Sequence, residues 1–403
     1  MILCRERGAT AAAGAGALLL LLLIPVAFPP RVHAQHVKYS TGEAWKAHLG
    51  GNNGNPGWYS HWNAMVQPRI DQLVAAIAES ETAASTRRGD EGGDAGDKAE
   101  PFRVALVGDS TMMMQSGVIC AFLAERPGRR FDPAVHNEEC CVDTLPRQEE
   151  ALAGPREAVG DPTLADEAEG RGGGRGLCFR DAFQRYADPP EWESLGSPDV
   201  VYFGSGLHFL HMCRPGKPLE KRRVQGWLNY ENDLEKAVET FRSGGGNGGV
   251  RVVFMTSHTV EDSVYNGEFL EVLQAYRGND TDFIGICEKQ MTDYIVGDTT
   301  GPEEYGRAAY CRQGMLDRNG SEVLNRRSRP VMTRLNVPMV EADLIVRDQA
   351  WATPKSDGRH YQQLVPVEVW AMLGALVAPS WAGGLGGHGG EPGGEEELDS
   401  HAN

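Results

Sequence analysis

Four short runs of the chain, RVALVG, DVVYFGSG, VRVVFMTS and VPMVEADLI, are almost continuously apolar. Continuous rather than alternating apolarity predicts β-strands covered on both faces. After the first three, the period lengthens to that of a helix. From Trp227 to Arg242, the residues Trp227, Tyr230, Leu234, Val238 and Phe241 fall on one stripe. A helix starting near Val365, with Pro366 tolerated in its first turn, puts Val369, Trp370, Leu373 and Val377 on one face. Ahead of the first strand, Ile70, Leu73, Val74 and Ile77 form a further stripe. Strands alternating with helices predict an α/β fold, a three-layer α/β/α sandwich with a mainly parallel sheet of about five strands. The segment RRFDPAVHNE is the candidate for the fifth.

Where this pattern stops, glycine and charge take over. The stretches ASTRRGDEGGDAGDKAE, Gly154 to Gly176 and Ser243 to Gly249, and the tail from Ala382, are too poor in apolar residues to repay ordering. They divide the chain into an aromatic-rich N-terminal region with a flexible linker (35–100), a main domain (101–381) with loose insertions near 154–176 and 243–249, and a loose acidic tail (382–403). In the N-terminal region Trp45, Trp58, Tyr59 and Trp62 crowd together. Packing against the core as a lid or brace is expected of them, with stacking on sugar rings as the alternative.

The first 34 residues read as targeting. Arg5 and Arg7 precede an apolar run from Ala9 to Phe28, and Val32 and Ala34 suit cleavage after Ala34. A cleaved signal peptide is expected; an uncleaved type II membrane anchor is the alternative. Either places the remainder in the secretory lumen or outside the cell, where Asn279 (NDT) and Asn319 (NGS) become glycosylation acceptors. The chain has eight cysteines, and without Cys4 seven remain. Disulfides are expected in that compartment, Cys287 with Cys311 among them, and an odd number leaves at least one thiol over. A net charge of −17 makes nucleic acid an unsuitable partner. It also disfavours strongly anionic polymers unless the site is locally basic.

In open α/β sheets, ligands bind beyond the carboxyl ends of the strands. The residues there are Gly108-Asp109-Ser110, Gly204-Ser205-Gly206-Leu207-His208 and Thr256-Ser257-His258, and the fourth strand leads to the loop RDQAWATPKSDGRHY. Ser110 begins a helix, where N–H groups and the dipole favour a developing oxyanion. A serine nucleophile needs a histidine base oriented by a third group. SDGRHY holds Asp357 and His360 three apart, so that one turn can fix both. Asp109 is read as a cap. His208, His211 and Cys213 in HFLHMC lack a fourth ligand and no CxxC is present, so no metal or other cofactor is implied. His208 is instead a candidate cleft-wall residue.

GDS after the first strand, glycine after a middle strand and DxxH before the last helix resemble the SGNH/GDSL hydrolase superfamily. GDS together with SDGRHY is similar to its PC-esterase and trichome-birefringence-like branch, whose lumenal members add or remove acyl groups on glycans. The resemblance spans about Pro101 to Trp381. It implies Ser110 as nucleophile, His360 as base and Asp357 as its orienting acid. It also implies an oxyanion hole from the N–H groups of Ser110 and Gly206. The third block, VVFMTSHTVEDS, lacks the superfamily's usual asparagine; Ser257 and His258 stand in roughly that place as candidate cleft-wall residues. The implied activity is a serine esterase acting on O-acetyl or similar groups of a glycan or other acylated small molecule. An O-acetyltransferase with the same triad, or a non-catalytic glycan-binding protein of this fold, are the alternatives.

Overall fold

The computed structural model describes residues 58–88, 100–124, 139–142, 176–187, 195–217, 219–244, 249–294 and 306–377. The helix α1 (Trp58–Arg88) leads into β1 (Phe102–Gly108) and α2 (Ser110–Leu123). Then come β2 (Glu139–Val142), β3 (Leu177–Phe183), β4 (Val200–Gly204), α3 (Lys221–Leu228), α4 (Tyr230–Gly244) and β5 (Arg251–Met255). The chain continues through α5 (Gly267–Arg277), α6 (Thr281–Tyr294), α7 (Arg307–Gln313), α8 (Arg318–Arg334), β6 (Met339–Val340), α9 (Ala342–Val346) and α10 (Val365–Val377).

The sheet has six strands in the order β2-β3-β1-β4-β5-β6. Every pairing is parallel except β2 with β3. The strands are apolar on both faces because both faces are covered. Val104, Leu106, Tyr202, Val253 and Met255 pack with α1, α2 and α10 in one core. Ala105, Val107, Val201, Phe203, Val252 and Phe254 pack with α3 to α8 in another. Full burial of one such large side chain stabilises by about 1.5–3 kcal/mol. β1 is central and ends at Gly108, which puts Ser110 at the middle of the sheet's carboxyl edge.

Five expectations meet a different outcome. The helix expected from Trp227 to Arg242 is two helices meeting at Asn229, although its whole stripe lands in one core. The fourth apolar run forms a strand only at Met339–Val340, because beyond it Asp343 turns to bond Thr256 Oγ1 (2.7 Å) and opens a helix. α1 runs through Arg88 into the stretch expected to be loose from Ala84; Ala, Ser, Thr and Arg there sustain a helix until Gly89. The sheet also gains β3, whose sequence LCFRDAF was not read as a strand because Arg180 and Asp181 interrupt its apolarity. RRFDPAVHNE, residues 154–175 and 245–248 of the two insertions, the tail and the run Ala9 to Phe28 lie outside the described residues, while Ser243 and Gly244, expected to be loose, close α4. No helix among the described residues is long and apolar enough to cross a membrane.

Among the described residues there are three disulfides. Cys120–Cys140 ties the short edge strand β2 to α2, and Cys141–Cys178 ties it to β3. Cys287–Cys311, the pair expected from sequence, joins α6 to α7. Cys213 is the free thiol among the described residues, and it is buried. Replacing Cys287 and Cys311 together by serine is expected to lower stability by about 2–4 kcal/mol, read as an earlier denaturant midpoint with an unchanged native spectrum.

Candidate active site

β1 delivers the chain to Asp109, whose side chain caps α2 by accepting from Thr111 N (2.9 Å) and Thr111 Oγ1 (2.8 Å). Asp109 is thus the structural cap expected of it. Ser110 follows as the first residue of α2, where backbone N–H groups have no intrahelical acceptor.

The second half of the site is the loop before α10. Gly358 sits at φ +66°, and a Cβ there would lie 2.6 Å from the Glu261 carbonyl, so the turn requires glycine. Asp357 Oδ1 accepts from the N–H groups of Arg359 (3.1 Å) and His360 (3.3 Å), closing the turn on itself. The same carboxylate reaches His360 Nδ1, with Oδ2 at 2.7 Å and Oδ1 at 3.0 Å. This leaves His360 Nε2 to accept, and it meets Ser110 Oγ at 2.6 Å across 250 residues of sequence. Burial raises the Asp357 carboxyl, but its hydrogen bond and charge contact with His360, and then Arg359, outweigh that and hold it below its ordinary 3.8. The predicted trio of Ser110, His360 and Asp357 is therefore assembled in hydrogen-bonding order.

Gly206 follows β4, next to β1. A methyl group there would overlap Ser257 Oγ, and it would also crowd Leu324 Cδ1 and Tyr230 Oη, each at 3.3 Å. Only glycine lets the backbone lie this close. Among the described residues, no acceptor engages its N–H.

The two cleft-wall residues of the third block are placed differently from expectation. Ser257 is 6% exposed and His258 1%, so neither lines an open cleft. The Ser257 N–H donates to Asn325 Oδ1 (2.9 Å), and Asn325 Nδ2 donates back to the Ser257 carbonyl (2.8 Å). That exchange removes the Ser257 N–H from the oxyanion candidates. His258 donates through Nδ1 to the Arg359 carbonyl (2.9 Å), and its Nε2 lies 2.9 Å from Glu368 Oε1 in a fully buried ion pair.

His208 does stand at the rim, its side chain 30% exposed and Nε2 3.8 Å from Asp109 Oδ2. Tyr186, just past β3, meets it edge-on at 6.5 Å, and the Arg222 guanidinium lies 4.8 Å over the Tyr186 ring. Burial lowers the His208 pKa; Asp109 opposes this, while Arg223, Arg185 and Arg359 add to the lowering. The guanidiniums of Arg223, Arg185 and Arg359 thus act on His208 in the same sense as its burial. Glu220 partly offsets them, bonding Tyr186 Oη (3.0 Å) and Arg223 (3.4 Å). Asp109 and Asp357, the latter 3.4 Å from Arg359, stand at the same rim, so cations and anions are mixed there on a chain of net charge −17.

The remaining candidates separate from the trio. His211 is buried, its Nε2 donating to the Tyr310 carbonyl (3.2 Å) and its Nδ1 accepting from Cys213 N (3.2 Å), so both nitrogens are engaged within the core. Burial lowers it to about 4. Glu139, Cys141 and Cys178 have ligand-like spacing, but both sulfurs are joined in a disulfide. Asn279 is exposed on the turn between α5 and α6; Asn319 is exposed in the first turn of α8, with the Ser321 hydroxyl buried and donating to the Arg318 carbonyl. Trp62 is buried at 4%, as a brace requires, while Trp45 and the side chains of Trp58 and Tyr59 lie outside the described residues.

Sequence reasoning missed Gln115 and Glu368, both 0% exposed and joined at 2.7 Å. The signal was present for Glu368, the one polar residue of an otherwise apolar helix, since a fully buried carboxylate requires a partner; Gln115 is less conspicuous beside Thr111 and Ser116 in α2.

No protein-family model matches the chain, and no curated protein matches it either.

Proposed function

We propose that this protein is a serine hydrolase acting on acyl esters, with Ser110 as nucleophile, His360 as general base and Asp357 as the group that orients it. One observation carries the reading: the Ser110 Oγ to His360 Nε2 contact of 2.6 Å, backed by Asp357 at 2.7 Å on the opposite nitrogen. His360 removes the hydroxyl proton as Oγ attacks the ester carbonyl. The tetrahedral oxyanion is received by the N–H groups of Ser110 and Gly206. His360 returns the proton to the leaving alcohol, and the acyl-enzyme on Ser110 passes its acyl group to an incoming hydroxyl. Water in that role makes an esterase; a sugar hydroxyl makes an O-acyltransferase.

The wider frame is a three-layer α/β/α sandwich of SGNH type, in the PC-esterase and trichome-birefringence-like branch. The GDS turn, the glycine after β4 and the DxxH loop support it. The substrate class is O-acetyl or similar esters on a glycan. The Arg185, Arg222, Arg223 and Arg359 guanidiniums near the rim supply cations that an acidic glycan can meet in spite of the net charge. The three disulfides favour an oxidising compartment, in keeping with a secreted or Golgi or ER lumenal protein whose N-terminus is a signal peptide or type II anchor.

The test is turnover of p-nitrophenyl acetate by the purified protein beside Ser110→Ala and His360→Ala. Burst release of p-nitrophenol followed by slow turnover is expected from wild type alone. Equal rates in all three proteins would end the proposal. Adding neutral and acidic oligosaccharides as acceptors separates the outcomes: free acetate marks the esterase, acylated sugar the transferase.

A further inference from the structure

Behind the Ser110–His360 contact lies a second polar network that no substrate can touch. Glu368 of α10 and His258 after β5 have side chains fully shielded from solvent and sit 2.9 Å apart. Glu368 reaches in two directions. Its Oε2 accepts from Gln115 Nε2 (2.7 Å), and Gln115 belongs to α2, the helix that Ser110 begins. Its Oε1 faces His258, which donates from Nδ1 to the carbonyl of Arg359, the residue before His360. The His258 ring also meets Tyr361, the residue after His360, edge-on at 5.5 Å. Tyr361 Oη in turn donates to the Thr259 carbonyl (2.6 Å). The loop carrying His360 is therefore gripped on both sides of that residue by one histidine, and the same carboxylate holds the nucleophile helix.

We propose that Glu368 and His258 are positioning residues that hold the base loop and the nucleophile helix in mutual register. The kinetic arm of the test rests on the hydrolase reading above; the spectroscopic arm does not. A buried carboxylate and imidazole are an expensive way to fill a core, since burying ions carries a desolvation penalty that an apolar pair avoids. Their geometric effect is what an apolar pair lacks: fixed hydrogen-bond directions onto Arg359 and Gln115. A small displacement of the base from its serine is expected to slow the reaction by about 10- to 100-fold.

The pair also has a pH signature. Burial alone would lower His258, but the charge and 2.9 Å contact of Glu368, the Arg359 carbonyl and Asp109 raise it to about 9. The groups facing His258 are Glu368 from α10, Asp109 before α2, and the Arg359 carbonyl and Tyr361 ring from the loop; Gln115 of α2 and the Tyr202 hydroxyl of β4 face Glu368 instead. Its folded value is above its ordinary 6.5, so its charged contact with Glu368 is complete below about 6.5 and is lost as pH rises through about 9, while a neutral ring that keeps its Nδ1 proton still donates to the Arg359 carbonyl.

The test uses the full chain and four variants: Glu368→Gln, Glu368→Leu, His258→Phe and Ser110→Ala. In the first three, kcat for p-nitrophenyl acetate is expected to be compared with KM and the melting temperature. Glu368→Leu and His258→Phe are expected to lower kcat about 10- to 100-fold with KM within about twofold. In Glu368→Gln the limb due to His258 is expected to move from the alkaline side to below neutrality, a displacement that a general loss of stability does not produce. Nitrogen-15 NMR of histidine in the Ser110→Ala protein reads His258 directly, and an imidazolium persisting past pH 8 is expected there. A His258 midpoint at or below its ordinary value overturns the proposal, as does a folded Glu368→Leu with kcat within twofold of wild type. If Ser110→Ala retains full turnover, the hydrolase reading fails, and the NMR titration alone decides the pair.

Discussion

Ser110→Ala is expected to lower kcat/KM toward an acyl ester by about 10⁴- to 10⁶-fold, with KM for a neutral ester little changed. The effect is large because no neighbouring hydroxyl can take over. Ser257 Oγ is directed at the Ser205 carbonyl (3.3 Å), and Thr111 Oγ1 donates to Asp109. His360→Ala is expected to fall by a similar amount, and the double variant to be no worse than either single one, because nucleophile and base act as one unit. Asp357→Asn separates orientation from proton transfer. The amide keeps the turn-closing acceptor for the Arg359 and His360 N–H groups, yet it no longer fixes the proton on Nδ1. A drop of about 10⁴-fold with an unchanged melting temperature is expected. The acid side follows from the sign of the Asp357 shift. Its pKa is depressed, so its hold on His360 is fully present above the ordinary 3.8 and is lost only as pH falls through the lowered value. A chain that keeps its loop ordered at pH 4 by histidine NMR meets this expectation, and one that releases it at pH 5 contradicts it.

The trio was legible in the sequence because each member sits on local structure that sequence encodes. β1 is a run of apolar residues that must be buried, Gly108-Asp109 must turn, and Ser110 must begin a helix. Asp357 and His360 share one turn, so their mutual distance is fixed by four residues of chain. Their meeting with Ser110 is a long-range event, but the carboxyl-edge rule for parallel sheets confines both to one side. The third block was not legible for the opposite reason. Whether Ser257 and His258 face a cleft depends on Asn325, Glu368 and Arg359, all distant in sequence. Likewise β2 gives little apolar signal in four residues; two disulfides and pairing to β3 hold it in the sheet.

Gly206→Ala carries the second large effect, since one methyl group acts on both stability and chemistry. It is expected to lower stability by roughly 1–3 kcal/mol, because the new Cβ overlaps Ser257 Oγ in a closed space and must displace it or the backbone. It is also expected to lower kcat by about 10²- to 10³-fold, the scale of losing one preorganised oxyanion donor, since any backbone shift re-aims the N–H that we propose as that donor. The two effects come apart in the double variant with Ser257→Ala. Removing Oγ relieves the worst overlap, but Leu324 Cδ1 and Tyr230 Oη remain at a tight 3.3 Å and the φ of +159° still disfavours a side chain, so only part of the stability is expected to return. If kcat returns with it, the backbone has resumed its path and the N–H is again in place, which ties the rate to the position of that donor. A folded Gly206→Ala protein turning over within threefold of wild type would remove Gly206 from the oxyanion hole and leave the α2 N-terminus to receive the charge.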